Sequence, residues 1–358
     1  MKRIPIEATT KYEVLVGRRI LADVGNYLNA VVDPCKVLLI TDDNVEPLYS
    51  DTVTVSLLNS GYNVFHYVFT AGERSKNIHT LTAILEFAAD NRFTRTDLIV
   101  ALGGGVTGDI AGMAAAIYQR GIRYVQIPTT FLAAIDSSVG GKTAINLLAG
   151  KNLAGAFWQP SLVLCDCATF KTLPESVFAD GAAEAIKYGM ISDLSLFEQF
   201  ESGSIANDLE NIVCRCVNIK RRLVVQDEYD RGARQLLNFG HTIGHAIEKC
   251  SDYSISHGNA IAIGMVIISR AAELLSLTRE PCSKRLIRTL IRHGLEVDCP
   301  YDADELLPAV LADKKRNGGE ITLVVPTRPG KCRLHTISTD DIGRILELGL
   351  KREDENGH

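Results

Sequence analysis

The sequence predicts an α/β protein with a parallel sheet in its first half and mainly helices in its second half. Up to about residue 173, short apolar runs alternate with stretches in which apolar residues recur at helical spacing. After Pro174 helical spacing dominates, and one late strand-like run interrupts it. We therefore expect two domains, one over residues 1–173 and the other over residues 174–358.

In the first half, strands are predicted at residues 36–41, 63–69, 97–102 and 124–127, because each is a short apolar run bounded by polar residues. Residues 77–91 lie between the second and third of these strands and carry apolar residues at helical spacing. Strands separated by helices favour parallel pairing with right-handed crossovers. The alternation of strands and helices in this half therefore predicts an open parallel sheet.

In the second half, helical spacing predicts helices at residues 182–191, 205–225, 236–249, 259–275, 284–292 and 339–350. Residues 320–325 read as the one late strand. This domain is therefore expected to be mainly helical.

Composition excludes several classes of partner and location. With 46% hydrophobic and 23% charged residues, the 358-residue chain can bury a sizeable core. A net charge of only -5 argues against nucleic acid or an anionic membrane as a partner. The first ten residues lack the apolar core of a signal peptide, and no run is apolar enough for a transmembrane helix. The nine cysteines lack zinc-ribbon spacing, so we expect a cytoplasmic protein with reduced thiols.

A glycine-rich turn follows the third predicted strand and opens a helix. Its glycines, Gly103, Gly105 and Gly108, match the pattern G-x-G-x-x-G. Such a turn lets the backbone approach a pyrophosphate, whose charge the helix N-terminus favours. The alternative is a tight turn that binds no ligand.

The acidic residue that usually follows such a turn by about 20 residues and binds the ribose is missing, since residues 122–130 contain no carboxylate. Asp42 ends an earlier predicted strand, where ligands of open α/β sheets bind. Glu73 and Lys76 precede a predicted helix and are candidates for the same edge.

Residues 128–143 form a polar run rich in small hydroxyls and glycine. Its end resembles a Walker A loop, but Asp136 occupies the position of the first required glycine, so a P-loop is excluded. Lys142, Lys151 and Asn152 remain candidate ligands for phosphate or carboxylate, with a solvated loop as the alternative.

A polar stripe is expected on the helix predicted near residue 240, formed by Arg234, Asn238, His241 and His245. Burying each such group without a partner costs about 1–3 kcal/mol, so the stripe suits an active-site wall better than a core. His257 precedes the next helix, and Glu184 is expected to open an earlier one. Three nitrogen or oxygen ligands and an open position are typical of catalytic zinc. Spacing alone favours pairing His241 with His245, and the alternative is that these histidines bind no metal.

Several motifs together resemble the 3-dehydroquinate synthases, within the sugar phosphate cyclases, along nearly the whole chain. They are GGGVTGD at 103–109, PTT at 128–130, DSSVGGKT at 136–143, GKN at 150–152, EAIKYG at 184–189, LNFGHTIGH at 237–245 and HG at 257–258. The resemblance implies a Rossmann-like N-terminal domain, a helical C-terminal domain and a homodimer with its active site between the domains.

The reaction implied by the resemblance converts 3-deoxy-D-arabino-heptulosonate 7-phosphate into 3-dehydroquinate and phosphate, within the shikimate pathway of aromatic amino acid biosynthesis. It proceeds by transient oxidation with NAD, phosphate elimination, re-reduction and an intramolecular aldol closure. The implied cofactors are NAD and a zinc or cobalt ion.

The resemblance also assigns residues. Metal ligands would be Glu184, His241 and His257, which replaces the pairing favoured by spacing. NAD would contact Asp42, Asn44, Glu73, Lys76, Gly104, Gly105, Val106, Asp109, Thr129, Thr130, Lys142, Lys151, Phe170 and Thr172. Substrate would contact Asp136, Lys142, Asn152, Lys187, Lys220, Arg234, Asn238, His245 and Lys314 or Lys315. Arg120 would reach a phosphate across the dimer interface.

Ala134 and Leu147 depart from the family, which has a larger polar residue and a histidine there, and we expect an effect on substrate fit alone. Three alternative functions remain open at this level. They are a related cyclase acting on sedoheptulose 7-phosphate or glucose 6-phosphate, a metal-dependent polyol dehydrogenase, and a non-catalytic NAD-binding sensor. Lys220 and Arg234 favour a substrate that carries a carboxylate.

Overall fold

The computed structural model of the protein describes residues 1–314 and 319–351, with the backbone alone for residues 313 and 314. Contacts group these residues into two compact units. The first unit comprises Met1–Pro174 and Leu209–Tyr229, and the second comprises Glu175–Asp208 and the chain from Asp230 onward. The helix that begins at Leu209 thus makes its main contacts with the sheet-containing unit.

The first unit is built on a seven-stranded sheet, whose strands are β1 (Lys2–Glu7), β2 (Lys11–Gly17), β3 (Lys36–Asp42), β4 (Asn63–Phe69), β5 (Leu98–Gly103), β6 (Arg123–Pro128) and β9 (Leu162–Asp166). Their order across the sheet is β1-β2-β9-β6-β5-β3-β4. All neighbouring strands pair in parallel except β1 and β2. The predicted α/β class with a parallel sheet is therefore confirmed.

Helices cover both faces of this sheet. They are α1 (Val24–Asn29), α2 (Glu46–Asn59), α3 (Ile78–Asp90), α4 (Gly105–Ile117) and α7 (Leu209–Gln226). Along β3, Val37 and Leu39 pack into one apolar cluster, whereas Leu38 and Ile40 pack into another. Successive side chains of a strand point to opposite faces, so a strand buried on both faces must be apolar throughout.

The polar run after β6 is more regular than the loop that we considered from the sequence. It contains one π-helical turn, Ala133–Ser137, and then a hairpin of β7 (Lys142–Leu147) and β8 (Gly150–Phe157). Asn152 adopts a φ of 56°, a left-handed conformation that asparagine tolerates better than most residues.

The second unit is mainly helical, as its periodicity predicts. Its elements are α5 (Glu175–Ser192), α6 (Leu194–Ser202), α8 (His241–Cys250), α9 (His257–Leu274), α10 (Ser283–Arg292), α11 (Ala303–Lys314), β10 (Glu320–Arg328), β11 (Lys331–Ser338) and α12 (Ile342–Leu350). Helix α9 is central and packs against α5, α8, α10 and α12. The predicted late strand is β10, which pairs antiparallel with β11.

Two local predictions in this unit are wrong. The expected single helix through the polar stripe is a 3₁₀ segment, Ala233–Asn238, followed by Gly240 at a φ of +81° and then by α8. Glu184 lies in the middle of α5 and does not open it. Among the described residues, no helix is both long enough and apolar enough to cross a membrane.

Candidate active site

Three side chains of the second unit converge on one point. Glu184 projects from α5, while His241 and His257 are the first residues of α8 and α9. The Nε2 atom of each histidine lies 3.4 Å from the same carboxylate oxygen, Oε1 of Glu184. One possible ligand atom from each residue falls within 4.8 Å of the others.

This spacing fits a tetrahedral metal ion. Two metal–ligand bonds of about 2.0–2.2 Å that meet at a tetrahedral angle hold their ligand atoms about 3.4 Å apart. The donor set of one carboxylate and two imidazoles is one that zinc accepts, and it leaves room for a further ligand. The residues present therefore fit a catalytic divalent ion.

Glycines allow the two histidine-bearing helices to approach each other. A Cβ atom on Gly264 of α9 would lie 2.1 Å from the carbonyl oxygen of Gly240, which precedes α8. A Cβ on Gly240 would lie 2.6 Å from Cγ of Met265. Since neither position has space for a side chain, the break before His241 follows from close packing of α8 on α9.

Both imidazole rings are oriented through their second nitrogen. Nδ1 of His241 lies 3.2 Å from the carbonyl oxygen of Phe239, and Nδ1 of His257 lies 3.5 Å from Oε2 of Glu248. A hydrogen bond donated by Nδ1 leaves the Nε2 lone pair available, which is the tautomer that a metal requires.

The charge around the cluster favours a cation. Burial and the neighbouring Lys187 lower the pKa of His241 well below its usual value, which keeps this ring neutral. Burial also lowers the pKa of His257, but hydrogen bonds with Glu184 and Glu248 outweigh it and raise that pKa to about 10. Glu184, which helps to hold this proton on His257, is also the carboxylate that would bind a divalent ion. Lys187 forms an ion pair with Glu184.

The other predicted site residues of this unit differ in exposure. His245 is exposed, and its ring centroid lies 5.4 Å from that of His241 and 6.3 Å from that of His257. Arg234 is buried, and Asn238 lines a cavity of about 380 Å³. The structure groups His241 with Glu184 and His257, and groups His245 with Glu248 and His257, which differs from the pairing of His241 with His245 that spacing favours. The side chain of Lys314, like all of Lys315, lies outside the described residues.

In the first unit, the glycine turn meets the ends of β3 and β6. Thr107, in the first turn of α4, donates to Oδ2 of Asp42 at 3.1 Å, and the backbone NH of Thr129 donates to the Gly103 carbonyl at 3.0 Å. A Cβ on Gly104 would lie 3.1 Å from Cγ2 of Thr130. The α4 N-terminus and the acid proposed for the ribose therefore share one edge of the sheet.

A second polar group in this unit surrounds Lys76, whose ammonium contacts Asp109 and lies 2.5 Å from Oδ1 of Asn152. Asn146 connects this group, because its Nδ2 donates to Glu73 at 2.7 Å and its Oδ1 accepts from the NH of Asn152 at 2.9 Å. Burial raises the pKa of Asp109, and Lys76 opposes that shift. Asn146 was not among the residues predicted from the sequence, where its only distinguishing feature is that it is a polar residue near the end of an apolar strand.

The remaining candidates of the first unit are distributed around this edge and beyond it. Lys220 on α7 donates to the carbonyl oxygen of Asp136 at 2.6 Å and to its Oδ1 at 2.5 Å. Thr172 shares a hydrogen bond of 2.6 Å with Tyr49. Positions that complete the set are Asn44, Gly105 and Val106 at the strand and turn ends, Lys142 and Lys151 in the hairpin, buried Phe170, and exposed Arg120 at a φ of 66°.

Comparison with known proteins identifies the family. The family described as "3-dehydroquinate synthase N-terminal" matches residues 66–180, and "3-dehydroquinate synthase C-terminal" matches residues 181–316. The 3-dehydroquinate synthase of Streptococcus thermophilus is 42% identical over 343 residues, which is 94% of this chain and 97% of that protein. The chain belongs to the 3-dehydroquinate synthase family. The resemblance inferred from the motifs is thus confirmed.

Solved structures place this 3-dehydroquinate synthase family member among related cyclases. A 2-deoxy-scyllo-inosose synthase, crystallised with carbaglucose-6-phosphate, NAD+ and Co2+, is 27% identical with a TM-score of 0.86, over 97% of this chain and 99% of the other. The 2-epi-5-epi-valiolone synthase of Streptomyces hygroscopicus subsp. jinggangensis, with NAD+ and Zn2+ bound, is 26% identical with a TM-score of 0.87, over 97% and 98%.

Proposed function

We propose that this protein converts 3-deoxy-D-arabino-heptulosonate 7-phosphate into 3-dehydroquinate and phosphate. The observation that carries the proposal is the ligand spacing of Glu184, His241 and His257 in a chain that is 42% identical to a 3-dehydroquinate synthase. This geometry suits a metal-assisted reaction at a hydroxyl-bearing carbon. The shikimate pathway of aromatic amino acid biosynthesis is the corresponding metabolic context.

NAD and one zinc or cobalt ion are the proposed cofactors, since the two related cyclase structures contain NAD with Co2+ or Zn2+. When bound, they would supply reversible hydride transfer and acidification of a substrate hydroxyl. All residues proposed for NAD lie within residues 1–173, and all proposed metal ligands lie within residues 174–358. We propose these two ranges as the two functional domains.

In the first unit, the α4 N-terminus would bind the pyrophosphate through backbone NH groups, because its glycines leave that end open. Asp42 and Glu73 would accept hydrogen bonds from ribose hydroxyls. The other proposed NAD contacts are Asn44, Lys76, Gly104, Gly105, Val106, Asp109, Thr129, Thr130, Lys142, Lys151, Phe170 and Thr172.

Substrate residues are proposed in both units. For the phosphate these are Lys142 and Asn152 of the first unit and His245 of the second. For the carboxylate they are Lys220 of the first unit and Arg234 and Lys314 of the second, because charge-assisted hydrogen bonds are the strong ones. Asp136, Lys187 and Asn238 would orient hydroxyls and move protons.

We also propose a cytoplasmic homodimer in which Arg120 of one subunit contacts the phosphate bound by the other. Support comes from the nine cysteines, which are all free thiols, and from the exposed position of Arg120 after α4. Mixing an Arg120→Ala homodimer with a Glu184→Gln homodimer tests this arrangement. The mixture should regain activity, because one site of the hybrid would hold both native residues, whereas an Arg120 that acts within its own subunit predicts no recovery.

The direct test measures phosphate release from the heptulosonate phosphate, with and without a chelator. Turnover that is chelator-sensitive and leaves the nicotinamide absorbance unchanged is expected, because the hydride returns within each cycle. Net accumulation of NADH would instead indicate a polyol dehydrogenase, and NAD binding without phosphate release would indicate a sensor.

One second candidate has an observation in its favour, since both related structures are cyclases named for other products. Sedoheptulose 7-phosphate and glucose 6-phosphate therefore belong in the same assay. Turnover of either sugar in place of the heptulosonate phosphate would overturn the proposed substrate, because neither carries the carboxylate that Lys220 and Arg234 are proposed to bind.

A further inference from the structure

Two acidic side chains outside the proposed ligand set fix the start of α9. Glu248 on α8 is only 4% exposed, and its Oε2 lies 3.5 Å from Nδ1 of His257. Asp180 on α5 accepts hydrogen bonds from Oγ of Ser256 at 2.6 Å and from the NH of Gly258 at 3.0 Å. His257 is therefore held through its ring and through both residues beside it in the chain.

Asp180 fixes the backbone of α9 relative to the central carboxylate. It precedes Glu184 by four residues on α5, so both acids project from one side of the same helix. A Cβ on Gly258 would lie 2.3 Å from the Cα of Asp180, which shows how closely α9 begins against α5. Because one rigid helix supplies both acids, the distance between His257 and Glu184 is set by α5.

Glu248 fixes the ring of His257. With Nδ1 directed at this carboxylate, Nε2 points toward Glu184, where it lies 3.4 Å from Oε1. The corresponding partner of His241 is a backbone carbonyl, which no substitution removes. A buried carboxylate is costly to keep in a protein unless it has a function or a partner, and here it faces an imidazole nitrogen.

We propose that Glu248 is a positioning residue for the metal site, which sets the orientation and basicity of His257 while Asp180 holds its backbone. The inference rests on the proposed function, in which Glu184, His241 and His257 hold a divalent ion. Loss of such an outer partner typically weakens metal affinity by about 10–100-fold.

Metal affinity measured by chelator competition, with zinc and with cobalt, tests the inference without reference to turnover. Glu248→Ala should weaken binding about 10–100-fold, and Glu248→Gln about tenfold, because its amide oxygen still accepts the hydrogen bond but carries no charge. The visible spectrum of bound Co²⁺ should shift in Glu248→Ala, since a rotated imidazole changes the ligand field. Glu248→Gln has nearly the native shape and provides a folded variant if the alanine protein does not fold.

Glu273→Gln is the matched control. Glu273 lies on the same helix α9 and accepts hydrogen bonds from the NH groups of Cys282 and Ser283 at 2.6 Å and 2.7 Å, in a purely structural contact. This variant should lose stability and keep both the metal affinity and the Co²⁺ spectrum of the wild type. A general loss of stability therefore cannot account for weaker metal binding in the Glu248 variants alone.

The outcomes separate this inference from the proposed function. A wild-type protein that binds no metal, or a Glu184→Gln variant that still binds it, would remove the proposed metal site itself. Native affinity and a native spectrum in both Glu248 variants would refute the positioning role and leave the metal site intact. A second bound ion in the wild type that disappears in Glu248→Ala would also overturn it, because Glu248 would then be a ligand.

Discussion

The polar groups of the two units differ in how far they are arranged before a ligand binds. In the first unit, Lys76 contacts Asp109 and Lys220 contacts Asp136, so the cationic groups are already neutralised by carboxylates. In the second unit, the imidazoles of His241 and His257 already stand at ligand spacing around Glu184. The lysines of the first unit must exchange carboxylate partners when an anion binds, whereas the ligands of the second unit already stand at the required spacing and a metal ion would displace the proton of His257 and compete with Lys187 for Glu184.

The difference follows from the charge of what each group is proposed to bind. The lysines proposed to bind phosphates and carboxylates are cationic, and a buried lysine without an anionic partner is costly. His241 is neutral because its pKa is lowered, and the charge of His257 is balanced by Glu184 and Glu248, so both imidazoles can stand at ligand spacing before a metal binds. Anion affinity in the first unit is therefore reduced by the cost of breaking an ion pair between a lysine and a carboxylate, while metal affinity in the second depends on ligand geometry and on displacement of the His257 proton.

The largest effect should come from Glu184→Gln. Removing the central carboxylate should abolish metal binding and reduce phosphate release by at least about a thousandfold, since the ion's contribution is several kcal/mol. Metal content and phosphate release measure this outcome. NAD affinity should stay within about twofold of the wild type, because the proposed NAD contacts belong to the first unit and Glu184 belongs to the second. Native metal content in the variant would contradict the assignment.

Asp109→Ala breaks the pairing within the first unit. It leaves Lys76, whose side chain is only 5% exposed, without its carboxylate, and the free energy of unfolding should fall by about 3 kcal/mol. Urea unfolding measures the change, and the double variant with Lys76→Met should recover part of it. A loss below about 1 kcal/mol would show that this pair behaves as a solvated surface contact.

Asn146→Ala should have a smaller effect confined to the first unit. The substitution removes the hydrogen bonds to Glu73 and to the NH of Asn152, each worth about 1 kcal/mol, so NAD affinity should fall by up to about thirtyfold. Titration of NAD into the purified protein measures this loss. Metal affinity serves as the internal control, and a parallel loss of both affinities would mean that the two groups are not independent.

The smallest effect concerns pH and the second unit. Burial lowers the pKa of His293, whose Nε2 lies 2.8 Å from the carbonyl oxygen of Phe200. The unfolded chain then binds the proton more readily, so the free energy of unfolding falls as the pH drops below about 6.5. Between about pH 7.5 and about pH 5.5, the free energy of unfolding of His293→Gln should fall by up to about 1 kcal/mol less than that of the wild type. Identical pH profiles would contradict the role of this histidine.

Several features were determined by the sequence alone because their causes are local. Strands β3, β5 and β6 are buried along nearly their whole length, so each is a mainly apolar run that can be recognised from the sequence alone. The glycine turn and the family resemblance rest on residues that are neighbours in the chain. Strands β1 and β2 escaped prediction because charged residues interrupt their apolar positions.

The composition of the candidate metal site was decided by tertiary structure. A single glycine is tolerated in a helical pattern, so Gly240 gave no sign of the break that packing against Gly264 imposes. Periodicity therefore placed His241 and His245 on one stripe and could not bring Glu184 from α5 beside them. The contacts of Asn146, Asp180 and Glu248 join residues from different elements. Side chains that are distant in sequence come into contact only when the elements that carry them pack together, and no local sequence pattern predicts such contacts.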